Sequence, residues 1–273
     1  MLTKECPMEN FHTQCVDALH AVRTHHPLVG AITNSVVTNF TANALLAIGA
    51  APAMVDIPGE SGPFAAIANA VLINLGTPTP TQCEAALESA TSANEAGTCW
   101  VLDPVAIGPL PVRTQLAHQL VALGPSIVRG NPSEIIALAG LGEGGRGVDS
   151  ADAVDAAIDA ARRINSEYGS LVAVSGKSDA IVSADAIVRV EGGSDMLTRI
   201  TGAGCSLGAL AGAFASVART QLDGLVAVHA LYAAASEIAA ERARGTGTFQ
   251  MEFLDALDNF RDEDFERVTI IAQ

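Results

Sequence analysis

Positive charge is scarce in this sequence: 15 Lys and Arg stand against 30 Asp and Glu, a net charge of −15. Such a surface repels phosphate backbones and anionic lipid, so nucleic acid and membrane are excluded as expected partners. A small anion accompanied by a divalent cation is still allowed. Long apolar runs are missing too, although 49% of the residues are hydrophobic. The two most apolar stretches are Cys205–Ala218, stopped by Arg219, and Leu225–Ala235, broken by His229. Neither reaches the roughly 18–20 unbroken apolar residues of a spanning helix. Met1–His12 carries Lys4, Glu5 and Glu9 and has no apolar segment of signal-peptide length, so a soluble, cytoplasmic protein is expected. The cysteines (Cys6, Cys15, Cys83, Cys99 and Cys205) are odd in number and form no C-x-x-C pair, which argues against a zinc cluster or a disulfide framework. His25 and His26 are adjacent, so their side chains diverge on any regular element, and they lack partners for a metal set. No internal repeat or low-complexity linker is visible. The Gly-rich stretch Gly140–Gly147 is too short to separate domains, so residues 1–273 are expected to form one domain.

Short apolar runs alternate with longer helical patterns. Strands are expected at Leu28–Thr33, Ala51–Val55, Val71–Gly76, Thr98–Leu102, Ser126–Arg129 and Leu171–Ser175. Helices are expected between them, at Val36–Ile48, Gly62–Asn69, Gln82–Glu95, Val112–Leu123, Pro132–Leu138 and Ala151–Tyr168. This rhythm implies right-handed βαβ units and an α/β fold, with a mostly parallel central sheet covered by helices on both faces. After Ser175 the rhythm changes. Ala180–Ser183 and Ala186–Val190 read as an antiparallel hairpin extending the sheet. Helices around Ala203–Ala218, Asp223–Arg244 and Met251–Leu257 follow, and the acidic tail Arg261–Gln273 fits either a loose end or a last short strand.

Two motifs are decoys. Gly140, Gly142 and Gly145 satisfy G-x-G-x-x-G, but a helical pattern, Ile135–Ala139, precedes them where the dinucleotide fingerprint needs a strand. Gly176-Lys177-Ser178 resembles the end of a P-loop. Leu171 stands where the first glycine belongs, though, and strands follow instead of a helix. Lys177 reads as a surface turn residue.

The informative segment is Thr201-Gly202-Ala203-Gly204-Cys205, placed before a long helical run of small residues. Glycines at a helix entrance let backbone N–H groups converge on one point, where the helix dipole adds partial positive charge; phosphate suits that geometry. Cys205 would lie in the first turn, where a lowered thiol pKa would make it an acid–base group. Spacing alone leaves equally open a small buried cysteine packing a tight helix start.

The segment resembles the anion-hole signature of the ribokinase-like kinases, small-Gly-small-Gly-Asp, with Cys205 in the place of the aspartate. With that cysteine it is most similar to the hydroxyethylthiazole kinase family. Agreement extends to Ile32-Thr33-Asn34, Asn39-Phe40-Thr41-Ala42-Asn43, Gly49-Ala50-Ala51-Pro52-Ala53-Met54, Leu102-Asp103-Pro104-Val105-Ala106, Arg129-Gly130-Asn131-Pro132-Ser133-Glu134 and Val174-Ser175-Gly176, from about Pro27 to Phe214. The resemblance implies a ribokinase-like fold and ATP-dependent phosphorylation of the hydroxyl of 4-methyl-5-(2-hydroxyethyl)thiazole in thiamin salvage. Its implied partners are ATP and a hydroxylated thiazole, in a homotrimer with sites between subunits. It implies that Arg129 and Ser175 contact ATP, that Met54 and the backbone at Gly202 contact the thiazole, and that Asn34 lies near the transferred group. The anion hole would be Gly202, Ala203, Gly204 and Cys205.

Residue chemistry runs the same way. Asp103 and Glu134 each follow a strand, so both carboxylates can face the carboxyl edge of the sheet, where hard oxygen ligands suit Mg²⁺ bridging nucleotide phosphates. Glu134 also closes an Asn-x-x-Glu capping box after Asn131. Arg129 can hold phosphate oxygens bidentately. Three departures from the family pattern stand out: Ser175 for Thr, Gly176-Lys177-Ser178-Asp179 for Gly-Glu-x-Asp, and Pro132 for Ala. The competing readings are another ribokinase-like activity (a hydroxymethylpyrimidine or pyridoxal kinase, or an ADP-dependent nucleotide-hydrate dehydratase) and a non-catalytic nucleotide-sensing module. Cys205 speaks against the first group, whose pattern has Asp there.

Overall fold

A computed structural model of the 273-residue chain describes residues 11–142 and 151–273. Met1–Asn10, with Cys6, and the end of the Gly-rich stretch, with Gly145, lie outside the described residues. The described residues form a nine-stranded sheet in the order β2-β1-β3-β4-β5-β6-β7-β8-β9. The strands are β1 (Leu28–Ile32), β2 (Ala51–Ala53), β3 (Ala70–Asn74), β4 (Cys99–Asp103), β5 (Ile127–Gly130), β6 (Leu171–Val174), β7 (Ser178–Val182), β8 (Ile187–Glu191) and β9 (Thr269–Ala272). Pairing is parallel from β2 through β6 and antiparallel from β6 to β9. The tail is therefore a strand, paired with β8 from Thr269 to Ala272.

Side-chain alternation divides each strand between two cores. Ala70, Leu72, Cys99, Val101, Ile127 and Ala173 pack with α1 (Phe11–His25), α2 (Thr38–Ala47), α8 (Ala203–Val217), α9 (Gln221–Arg242) and α10 (Thr246–Asp258). Val71, Ile73, Trp100, Leu102, Val128 and Val172 pack with α3 (Ser61–Ala65), α4 (Pro80–Ala96), α5 (Pro111–Val121), α6 (Pro132–Leu138) and α7 (Ala151–Tyr168). Both faces of the sheet are covered, so β3 and β4 are buried at every residue.

Local signals set the helix ends. The α4 helix starts at a Thr79–Gln82 capping box with Pro80 in its first turn and stops at Gly97, φ +72°. The α8 helix lies on the sheet at close range because its inner face is small. A Cβ at Gly208 would meet Leu72 at 3.0 Å, and one at Gly212 would meet Ala70 at 3.1 Å. The α9 helix is long and apolar enough to cross a membrane by length and composition, but it is mostly buried in the α1, α8 and α10 layer.

Several boundaries differ from the sequence expectation. The α1 helix was not anticipated; its buried stripe, Cys15, Ala18, Leu19 and Val22, is built partly of small residues and gives a weak apolar signal. The α3 helix ends at Ala65 instead of Asn69, and β2 stops at Ala53, at the edge of the sheet.

Candidate active site

The chain leaves β1 outward to β2 and returns to β3 on the other side of β1, so strand order reverses between β1 and β3. Open α/β sheets bind ligands at the carboxyl ends of the strands beside such a switch. Here the alternation that builds the core continues into polar residues. Asn74 follows Leu72, Asp103 follows Val101 and Arg129 follows Ile127, two residues on in each case. All three side chains therefore project to the α8 face. Asn74 and Asp103 are also register partners. The N-terminus of α8 arrives over this row.

Gly202, the residue before α8, has φ +96°, a left-handed conformation that favours glycine. A Cβ there would meet Phe40 Cδ1 at 2.9 Å. At Gly204 a Cβ would meet Arg129 Nη1 at 3.1 Å, so the guanidinium lies directly against the helix entrance. Cys205 is half-buried, and its Sγ accepts from Asn34 Nδ2 at 3.6 Å. The loops after β1 and β3 and the start of α8 thus meet around one thiol.

Asp103 is 1% exposed, and its Oδ2 accepts from Asn74 Nδ2 at 2.8 Å. Arg129 Nη1 is 3.8 Å from the same oxygen, while Oδ1 is buried without a partner among the described residues. Burial drives the Asp103 carboxyl up to about 7; Arg129 opposes this, Glu134 adds to it and Asn74 opposes it. Burial also works against the Arg129 charge, but Asp103, Glu134 and Asp179 outweigh it and hold the guanidinium protonated. Arg129 Nε donates to Ser175 Oγ at 3.1 Å, joining the ends of β5 and β6. Glu134 forms the capping box with Asn131, and its Oε1 accepts from Ala106 N at 2.9 Å, tying the loops after β4 and β5 together. Ala106 has φ +56°, an uncommon conformation for a residue with a Cβ.

One expectation is corrected. The helix start does not lower the Cys205 thiol. Burial pushes it up to about 11, the Asp103 carboxylate adds to this, and the Asn74 amide, Arg129 and the Asn34 amide oppose it without prevailing.

Nine of the ten expected site residues thus fall in one cluster: Asn34, Asp103, Arg129, Glu134, Ser175, Gly202, Ala203, Gly204 and Cys205. Met54 does not. It lies just past β2 at the sheet edge, half-buried against the α8-side core. A surface hollow of about 430 Å³ lined by Gly108, Thr114, His118 and Gly140 includes none of the clustered residues. Sequence reasoning missed Asn74, although a polar residue closing the apolar run Ala70–Ile73 in step with Asp103 is a usable signal. It named Asp179 only within the Gly176–Asp179 pattern and gave no role to His229 or Tyr232. The contacts of these side chains join β7 and α9 to the turn after Ser175 and to the start of α8, and a contact between such distant elements leaves no mark in sequence spacing.

A doubly covered, mostly parallel sheet with a glycine-lined helix entrance at its switch point defines the class: a ribokinase-like α/β kinase fold. The solved pyridoxal kinase from Staphylococcus aureus in complex with pyridoxal shares this fold at a TM-score of 0.59 and 14% identity, over 77% of this chain and 87% of that one. The model of the hydroxyethylthiazole kinase family matches residues 19–263, and the chain belongs to that family. It is 60% identical over 242 residues to the hydroxyethylthiazole kinase of Clavibacter sepedonicus, covering 89% of this chain and 88% of that protein. The solved hydroxyethylthiazole kinase protein from Pyrococcus horikoshii OT3 superposes with a TM-score of 0.88 at 32% identity, over 96% of this chain and 99% of that one.

Proposed function

We propose that the protein is a cytoplasmic enzyme that transfers the γ-phosphoryl group of ATP to the hydroxyl of 4-methyl-5-(2-hydroxyethyl)thiazole, a thiamin-salvage step, with residues 1–273 acting as one kinase domain. The observation that carries this reading is the convergence of Asn34, Arg129, Asp103 and Cys205 on the α8 entrance formed by Gly202, Ala203 and Gly204.

In the reaction the alcohol oxygen bonds to the γ-phosphorus, the bridging bond to ADP breaks, and the alcohol proton is released. A loose transition state asks little of a base and much of positioning and charge neutralisation. The Gly204 and Cys205 amides and the α8 dipole face the developing charge, and Arg129, oriented by Ser175, holds phosphate oxygens of ATP. Asn34 orients the acceptor beside Cys205. Met54 and the backbone at Gly202 receive the thiazole ring. Asp103 and Glu134 fit Mg²⁺ in part. Asp103 Oδ1 has no partner among the described residues, whereas both Glu134 oxygens already accept from backbone amides, so Glu134 suits a hydrated ion at second remove. When bound, the ion neutralises charge on the nucleotide phosphates.

A homo-oligomer, trimeric as in the family resemblance, accords with exposed Val36, Leu46, Ile57 and Ile67. All four fall in the segment that carries the edge strand β2. Met54 at that edge would then face a site completed by a neighbouring copy. The decisive test is a coupled ADP-release assay with Mg²⁺ and thiazole, pyrimidine and pyridine alcohols. Turnover selective for the hydroxyethylthiazole is expected. Preference for a pyrimidine or pyridine alcohol moves the protein to another kinase specificity, and nucleotide binding without any turnover makes it a sensing module.

A further inference from the structure

Behind the cluster, α9 presents two buried polar side chains, His229 and Tyr232, to two different loops. His229 is fully buried, and its Nδ1 donates to Asp179 Oδ2 at 2.6 Å. Its other ring nitrogen, Nε2, is buried with no partner among the described residues, so Asp179 is the side chain that orients the ring. The second oxygen of Asp179, Oδ1, accepts from Gly176 N at 2.8 Å and fixes the turn that follows Ser175. Ser175 Oγ in turn accepts from Arg129 Nε. A continuous chain of contacts therefore runs from α9 through β7 and the Ser175–Gly176 turn to Arg129. Three residues along α9, and hence on the same helix face, Tyr232 Oη donates to the Ala203 carbonyl at 2.6 Å and pairs with Ser206 Oγ at 2.8 Å. Ser206 Oγ also reaches the Gly202 carbonyl at 2.8 Å, so this contact braces the start of α8.

A buried histidine with one nitrogen unpaired among the described residues and a buried tyrosine hydroxyl are costly to keep in an Ala-rich helix. Apolar residues would fill the same space more cheaply. What the two polar side chains share is that each ends on one loop of the site. We infer that His229, through Asp179, and Tyr232, through Ala203, are positioning residues that hold the Ser175–Gly176 turn and the α8 entrance in register, so that α9 sets the geometry of the phosphate cradle. This deepens the phosphoryl-transfer reading above and rests on it. Neither side chain touches the reacting atoms. His229 acts on nucleotide affinity through Arg129, and Tyr232 acts on turnover through the anion hole.

The test compares wild type with His229→Leu, His229→Asn and Tyr232→Phe, each first checked for fold by circular dichroism. Two readouts are needed: equilibrium binding of a non-hydrolysable ATP analogue with Mg²⁺, and kcat with KM for ATP and thiazole. His229→Leu keeps the volume and removes the donor. It should weaken analogue binding on the order of tenfold, the loss expected for a hydrogen bond to a charged group, and leave the thiazole KM within about twofold. His229→Asn places an amide donor near the position of Nδ1 and should recover most of the affinity. Tyr232→Phe should lower kcat on the order of tenfold with little change in analogue binding. If His229→Leu does not fold, Asp179→Asn, which removes the charge at the same link, should show the same nucleotide-selective loss.

Wild-type affinity in a folded His229→Leu, or equal loss in the Leu and Asn variants, overturns the role of α9 while wild-type turnover leaves the kinase reading intact. A wild type that binds the analogue but phosphorylates no alcohol sinks the kinase reading. A selective loss in His229→Leu would still uphold the positioning chain. A wild type that does not bind the analogue overturns both.

Discussion

Cys205 is the third residue of α8, just past the glycine-lined entrance, and its chemistry can be tested quantitatively. With the thiol pushed up to about 11, roughly one molecule in 3,000 carries a thiolate at pH 7.5. A positioned general base typically contributes about 10²–10⁴-fold, so the scarcity of thiolate cancels nearly all of that contribution. Cys205→Ala should therefore retain kcat within about tenfold of wild type, because the glycine cradle and Arg129 supply most of the stabilisation. The sign follows from the direction of the shift. A thiol raised by burial stays neutral through the neutral range and takes no part there as a base, so kcat/KM should show neither a rise nor an inflection between pH 7 and 9 that belongs to this residue. Cys205→Asp should remain active, since a carboxylate at the first turn of a helix is stabilised by the dipole. The assay is steady-state kinetics of wild type and both variants from pH 6 to 9.5, at saturating Mg²⁺, with folding verified. A wild-type limb in that window that Cys205→Ala abolishes, together with a kcat loss above about 100-fold, would show a working thiolate and refute the reasoning.

Gly204→Val should cost more activity than Cys205→Ala, because a Cβ already meets Arg129 Nη1 at 3.1 Å and the added methyls displace it; kcat/KM of the two variants decides the order. Gly202→Ala should destabilise the protein by about 2–3 kcal/mol in chemical denaturation, combining left-handed strain with the 2.9 Å approach to Phe40; a loss under about 0.5 kcal/mol would contradict the conformation. Arg129→Ala should raise the KM for ATP with little effect on the thiazole KM; an unchanged ATP KM would reduce Arg129 to a structural partner of Asp103 and Ser175. Asp103→Ala should weaken the Mg²⁺ dependence of turnover more than Glu134→Ala does, because Oδ1 of Asp103 has no partner among the described residues while Glu134 is held by backbone amides; equal, wild-type Mg²⁺ titrations for both would remove the metal assignment.

Sequence patterns alone settled the class of fold and much of the cluster. The parallel strands could be read because apolar runs of three to five residues ended in turn residues. The Asn131–Glu134 cap was legible because capping depends on residues three apart. Gly202 and Gly204 were legible because a helix entrance is a local motif. The helix α1 was missed because its buried stripe uses small and polar-flanked residues whose burial depends on α9. The tail's pairing with β8 joins residues about 80 positions apart, a distance over which no local pattern carries information.

Local sequence determines which residues reach the carboxyl edge, since strand period and turn chemistry are short-range. Only the tertiary structure decides how much water remains around them. That is why Cys205, placed correctly at a helix start, has a thiol shifted the opposite way from what a helix start alone implies: the dipole is a local property, whereas the burial that outweighs it comes from strands, loops and helices far apart in the chain. The Asp179–His229 and Tyr232–Ala203 contacts belong to the same category, because β7, α8 and α9 meet only when the helices pack on the sheet.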